Sequence, residues 1–411
     1  MTIDRKLIWP ALTAAVMSWG VTAYTYINTG FSIAMIVFTL FVMFDQYKRP
    51  QWPDFKIDKN LAWAFAVLYG ALFFTTLFHL DNLKNLNGGY YSAAGLLMYT
   101  IPFWMVLYMG RKYDIRKVVV YTFCAIFYVV CLYGLFDYSQ QTLKFPQFSS
   151  FYGPRTRLAM MLDMFFPFTV AAAYYYRKRD RRLFFILAGL VLLEIIALAL
   201  GKVRGTYLAF SIALVILFLV WSHMGGVRIP RRIKWYAGLG TLAAVMAITA
   251  YWISLGWGDP HRMVGEERFL MWESSVYMWA DHPLTGIGMN EWQGLWADSE
   301  YTHPDAKEHG AVHPHNVFLY FFTTCGTVGG AAYLIYTGLV LGYLYRRLRG
   351  NRENPFNWAM LFMFAAVTAH GLVDQSFILK LTGRIFYFML GYSIIFDEWM
   401  KKEEFGSAGK K

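Results

Sequence analysis

Residues 183–221 read LFFILAGLVLLEIIALAL, then GKVR, then GTYLAFSIALVILFLVW. Two apolar blocks, 183–200 and 205–221, flank a short turn that holds Lys202 and Arg204. At a rise of about 1.5 Å per residue, either block reaches roughly the hydrocarbon thickness of a bilayer as a helix. A chain that reverses between two such blocks makes a helical hairpin across a membrane. The pattern recurs along the chain and predicts spans at 7–24, 31–44, 61–80, 91–109, 118–136, 158–176, 183–200, 205–221, 236–255, 316–345, 356–373 and 385–396. The tenth is long and is expected to tilt or to leave the membrane in part. The expected fold class is therefore all-α: a polytopic integral membrane protein of about 12 transmembrane helices, forming a single transmembrane domain over 1–411.

Composition points the same way. The chain is 57% hydrophobic and 16% charged, where a soluble domain carries about a quarter charged residues. A net charge of +12 invites a nucleic-acid partner. The basic residues, however, are scattered over short loops and form no continuous groove, so that partner is excluded. Cys124, Cys131 and Cys325 lie inside apolar runs and read as buried thiols, not as a disulfide framework. The first apolar block follows Arg5 and Lys6 but has no small-residue cleavage site, so it reads as a span and not as a removed signal.

Loop charge sets the orientation. Of the 38 Lys and Arg, 27 fall in alternate loops and in the two ends of the chain. By the positive-inside rule those loops, and both termini, are cytoplasmic. The remaining eleven include Arg155, Arg157, Lys202, Arg204, Arg262 and Arg268. The outer loops are short except for 256–314, inserted between spans 9 and 10. It is Trp-rich and polar, with a helical-looking stretch at 267–279. A loop of that length is functional or disordered, and its tryptophans argue for order.

Several residues invite chemistry. Arg204, in a tight turn at the membrane edge, calls for an anionic partner or for lipid headgroups. His315 closes the run His309-Gly-Ala-Val-His313-Pro-His315-Asn316 and precedes a long apolar helix. The positive end of that helix disfavours an imidazolium, and a neutral imidazole is what a general base requires. A zinc site of His303, His309, His313 and His315 is an alternative, although the spacing matches no strong zinc signature. Gly326, Gly329 and Gly330 are expected on nearly the His315 face, where a neighbouring helix or a lipid chain approaches closely. Asp163 and Glu194 lie within spans, as proton relays or as partners of an arginine. His370 and Asp374, at i and i+4, are expected to share a helix face. Asp374 would orient a histidine or pair with an outer arginine. No Asp or Glu is expected beside His315.

On these residues the chain resembles the O-antigen ligases and the wider O-antigen polymerase superfamily. Two motifs carry the resemblance. One is Arg-x3-Leu, as Arg204-Gly-Thr-Tyr-Leu208. The other is His315-Asn316, nine residues, then Gly326-Thr-Val-Gly329. Arg268-Phe-Leu-Met-Trp272, His282-Pro-Leu-Thr-Gly-Ile-Gly288 and His370-Gly-Leu-Val-Asp374 are similar to further family patches. Val203 departs from the Ser common before this arginine. The resemblance implies a GT-C-like, metal-independent glycosyltransferase without cofactor, at the periplasmic face of the bacterial inner membrane. Its donor would be a glycan on undecaprenyl diphosphate. Its acceptor would be a sugar hydroxyl of the lipid A–core oligosaccharide, with membrane lipids around both. His315 would be the base. Arg204 and Arg268, helped by Arg155 and Arg157, would hold the diphosphate, and Lys202, His313, Asn316 and Asp374 would support them. A polymerase joining two lipid-linked glycans is the alternative within the family. A transporter is the alternative outside it, although no internal repeat or pair of broken helices is evident.

Overall fold

The hairpin that decides the fold folds as expected. In the computed structural model, which describes residues 7–23, 29–141, 148, 155–225 and 267–408, two helices span Arg181–Gly201 and Arg204–His223. Lys202 turns between them in the left-handed region, at φ 47°. In chain order the α-helices are α1 Ile8–Thr22, α2 Thr29–Lys48, α3 Lys59–Thr76, α4 Lys84–Asn87, α5 Ala93–Met98, α6 Ile101–Lys112, α7 Arg116–Gln140, α8 Arg155–Tyr176, α9 Arg181–Gly201 and α10 Arg204–His223. They continue as α11 Glu267–Asp281, α12 Trp292–Ala297, α13 Val317–Gly350, α14 Pro355–His370 and α15 Lys380–Ala408.

Among the described residues eight helices are long and apolar enough to cross a membrane, with α5 and α6 counted as one. The chain is a multi-pass membrane protein. The expected twelve are not reached among the described residues. α1 has 15 residues and α14 has 16. α15 carries charges near both ends, and the ninth expected span, 236–255, lies outside the described residues together with Arg262.

Burial sorts the helices. On α9 the buried residues are Leu183, Leu187, Leu190, Glu194, Ala197 and Gly201, a single stripe at helical spacing. Phe185, Ile186, Leu192 and Ile195 stay exposed, which suits a hydrocarbon surround. α14 is buried on nearly every face. α10 packs on it through Ala209 and Ala213 against Ala365, Ala366 and Ala369, where small side chains bring helix axes close.

The described loops of the two sets separate to opposite ends. At one end Arg111 pairs with Glu398 at 2.8 Å, Lys117 with Asp180 at 2.6 Å, and Arg116 with Glu403. At the other end Tyr91 donates to Gln375 at 2.7 Å, and Asn82 to Glu291 at 2.6 Å.

At that second end the expected helix in the long loop appears as α11. It shares a small core with α12 through Leu270, Met271, Met278, Trp292 and Trp296. Buried indoles are satisfied there: Trp292 donates to Ser275 and Trp296 to the Glu308 carbonyl.

One expectation is corrected. Gly326, Gly329 and Gly330 do not extend a straight helix below His315. α13 breaks at Gly326, with φ 64° and ψ −167°. The backbone of 283–288 docks into the break. Ile287 and Gly288 donate to the Thr323 and Thr324 carbonyls, and Thr327 and Val328 donate to Pro283 and Leu284. A Cβ on Gly326 would lie 2.2 Å from the Leu284 oxygen. The glycine therefore admits a loop backbone, neither a helix nor a lipid chain. α14 ends at His370, but the turn that follows keeps the Asp374 amide on the His370 carbonyl at 3.0 Å, and both side chains line one cavity.

Candidate active site

Where α8, α10 and α11 begin and α14 ends, a cavity of about 470 Å³ opens. Arg155, Lys202, Arg204 and Arg268 line it, together with the apolar side chains of Phe269 and Trp272 and with His370, Val373 and Asp374. The cationic pair Lys202 and Arg204 sits at the N-terminal end of α10. A helix N-terminus already carries positive partial charge and favours anions. Four cations around one cavity, against the single carboxylate of Asp374, therefore suit a multiply charged anion, and guanidinium forks suit phosphate oxygens.

Asp374 belongs to the cavity and also to His315. His315 Nδ1 lies 3.0 Å from Asp374 Oδ1. The same oxygen accepts from the Gln375 amide at 2.8 Å. Oδ2 faces the Arg268 guanidinium at 3.8 Å, and Arg268 donates to the Val373 carbonyl at 2.8 Å. Burial raises the Asp374 pKa, but the hydrogen bond and charge of His315, with His370 and Arg268, outweigh it and bring the carboxyl down to about 2. An ionised carboxylate on Nδ1 fixes the ring as the Nδ1–H tautomer and leaves the Nε2 lone pair free to take a proton.

The backbone holds this pair by force. His315 adopts φ 51°, a left-handed conformation uncommon for a side-chain-bearing residue and typical of functional sites. Hydrogen bonds on either side keep it there. Its amide donates to His313 Nδ1 at 3.1 Å. Asn316 caps α13 by accepting from Phe318 and Leu319, and it donates to the Leu372 carbonyl. The Val317 amide donates to the Gly371 carbonyl at 2.7 Å. His313 is buried, and burial, followed by the charges of His315 and Arg268, lowers its pKa to about 3, so it is neutral and can accept.

The expected site residues therefore divide. Arg155, Lys202, Arg204, Arg268 and Asp374 meet at one cavity. His315 joins them through Asp374, and His313 and Asn316 fix its backbone. Arg157 does not line the cavity. It lies two residues from Arg155, about 200° around the helix. The absence of an acid beside His315 is corrected by Asp374, because the turn after α14 folds back onto the start of α13. Among the described residues no group of three or more His, Cys, Asp or Glu gathers as a metal site. His303 instead faces Glu273 and Asp305.

Sequence reasoning missed three contributors. Trp272 donates to the Pro314 carbonyl at 2.8 Å and pins the His313–His315 run. It was legible as the i+4 neighbour of Arg268. Tyr91 and Gln375 form a bond that backs Asp374, and no local signal marks it.

Residues 189–334 match the family model described as O-antigen ligase. The chain thus carries the domain of a membrane enzyme family of O-antigen ligases and polymerases. The matched stretch holds Arg204, Arg268, His313, His315, Asn316 and Gly326, whereas Arg155 and Asp374 lie outside it. No curated protein matches the chain.

Proposed function

We propose that this chain, bearing the O-antigen ligase domain, transfers a glycan from undecaprenyl diphosphate to a sugar hydroxyl of the lipid A–core oligosaccharide. The observation that carries the reading is the hydrogen-bonded His315–Asp374 pair, whose carboxylate also lines a cavity walled by four cations. Its volume of about 470 Å³ is within the usual range of ligand sites.

In this mechanism Asp374 holds the His315 tautomer, and Nε2 removes the proton from the attacking hydroxyl. The hydroxyl oxygen bonds to the anomeric carbon while the bond from that carbon to phosphate breaks. The electron pair leaves with the diphosphate, where Arg204 and Arg268, helped by Arg155 and Lys202, stabilise the growing charge. A single displacement inverts the anomeric centre and uses no metal. His313 and Asn316 hold His315, and Arg157 has no direct part.

We read the whole chain as one twelve-span unit of GT-C type. Both termini are cytoplasmic and the cavity faces the periplasm from the bacterial inner membrane. Support comes from the positive-inside bias of the loops and from the separation of the described loops to opposite ends.

The test is to incubate purified protein with lipid-linked glycan, with and without core lipopolysaccharide. Glycan joined to the core supports the ligase. Longer lipid-linked chains would replace it with a polymerase, and no new glycosidic bond would remove both.

A further inference from the structure

A second carboxylate–imidazole pair lies beneath the cavity. Asp163 Oδ2, on α8, is 2.5 Å from His370 Nδ1 at the end of α14. Their side chains are 0% and 1% exposed, respectively. The other oxygen of Asp163 meets no donor among the described residues. His370 itself lines the cavity beside Gly205 and Asp374. A Cβ on Gly205 would lie 2.8 Å from His370 Nε2. The glycine next to Arg204 thus leaves Nε2 uncovered by any side chain from that position.

The two pairs differ in what balances the acid. Asp374 has Arg268 and the Gln375 amide as well as its histidine. Asp163 has His370 alone among the described residues, deep in a membrane-embedded bundle. An uncompensated carboxylate there is strongly disfavoured. The electrically neutral pair holds two protons. One is shared between Asp163 and Nδ1, and the other is on Nε2. Nε2 is then a donor, the opposite of what His315 needs as a base.

We propose that His370 is a diphosphate-binding residue. Its Nε2–H donates to a phosphate oxygen of the lipid-linked donor, beside Arg204, and Asp163 orients the ring. This rests on reading the cavity as the diphosphate site. As the bond from the anomeric carbon to phosphate breaks, the hydrogen bond strengthens with the charge on the leaving oxygen, and no proton need be transferred.

The experiment uses the full chain in lipid nanodiscs, with inorganic diphosphate as the binding probe and lipid-linked glycan as substrate. His370→Ala should weaken diphosphate binding and raise the donor KM about 10- to 100-fold, the range of one charge-assisted hydrogen bond. His370→Gln, which can keep an N–H donor, should recover part of that loss. Melting temperature is followed for each variant. A His370→Gln variant that folds, yet binds diphosphate as weakly as a folded His370→Ala variant, would overturn the donor role. So would wild-type binding in His370→Ala. Arg204→Ala and Arg268→Ala separate the two ideas. If they abolish diphosphate binding while His370→Ala does not, only this inference fails. If none of the three alters it, the reading of the cavity fails as well.

Discussion

Replacing Asp374 by Asn keeps the shape of the side chain and removes its charge. The carboxyl stands at about 2 in the fold against an ordinary 3.8. A depressed carboxyl contributes stability that is complete above the unfolded value and is lost as pH falls through the folded one. The shift corresponds to about 2 kcal/mol, present at pH 7, so Asp374→Asn should melt lower there. The wild-type contribution should be lost as pH falls from about 4 to 2. The catalytic effect should be larger. Asp374 Oδ1 serves both His315 Nδ1 and the Gln375 amide. Asn can keep its amide oxygen toward both donors, but a neutral acceptor no longer stabilises the imidazolium that forms when Nε2 takes the proton. General-base catalysis contributes about 10²–10⁴-fold, so kcat should fall by that factor, or roughly 3–5 kcal/mol in barrier. Arg268 keeps its bond to the Val373 carbonyl, so the donor KM should change less than about tenfold, the equivalent of 1.4 kcal/mol. The assay is transfer of a fluorescent lipid-linked glycan at saturating donor and acceptor, on folded, monodisperse protein. A kcat within about tenfold of wild type, or a loss confined to donor binding, would refute the argument.

Three further perturbations probe the surrounding geometry. His315→Ala should abolish transfer while the protein still inserts and binds lipid diphosphate, and normal turnover would end its assignment as base. Arg204→Lys keeps the charge and loses the planar fork. Transfer should fall about tenfold or more, consistent with loss of one charge-assisted bond, and unchanged kcat/KM would remove the bidentate contact. Gly326→Ala combines a positive φ with a Cβ 2.2 Å from the Leu284 oxygen. It should cost about 2 kcal/mol or more, read as a lower melting temperature and faster proteolysis of the 282–288 segment.

Much of the architecture is written locally. Apolar blocks such as 183–200 and 205–221 have the length of a bilayer-spanning helix whatever surrounds them, and an Asn before an apolar run caps the helix that follows. Arg204 at a turn and His315 before a helix were legible for the same reason, since neighbours in sequence fix both. The tertiary structure alone decided the partners. Asp374 reaches His315 across 59 residues and Asp163 reaches His370 across 207. Such hydrogen bonds depend on which helix ends meet, and no periodicity records that. Spacing along a helix also could not tell that Gly326 would be spent on a break admitting the backbone of 283–288, because its cause is a segment some forty residues earlier pressing into α13.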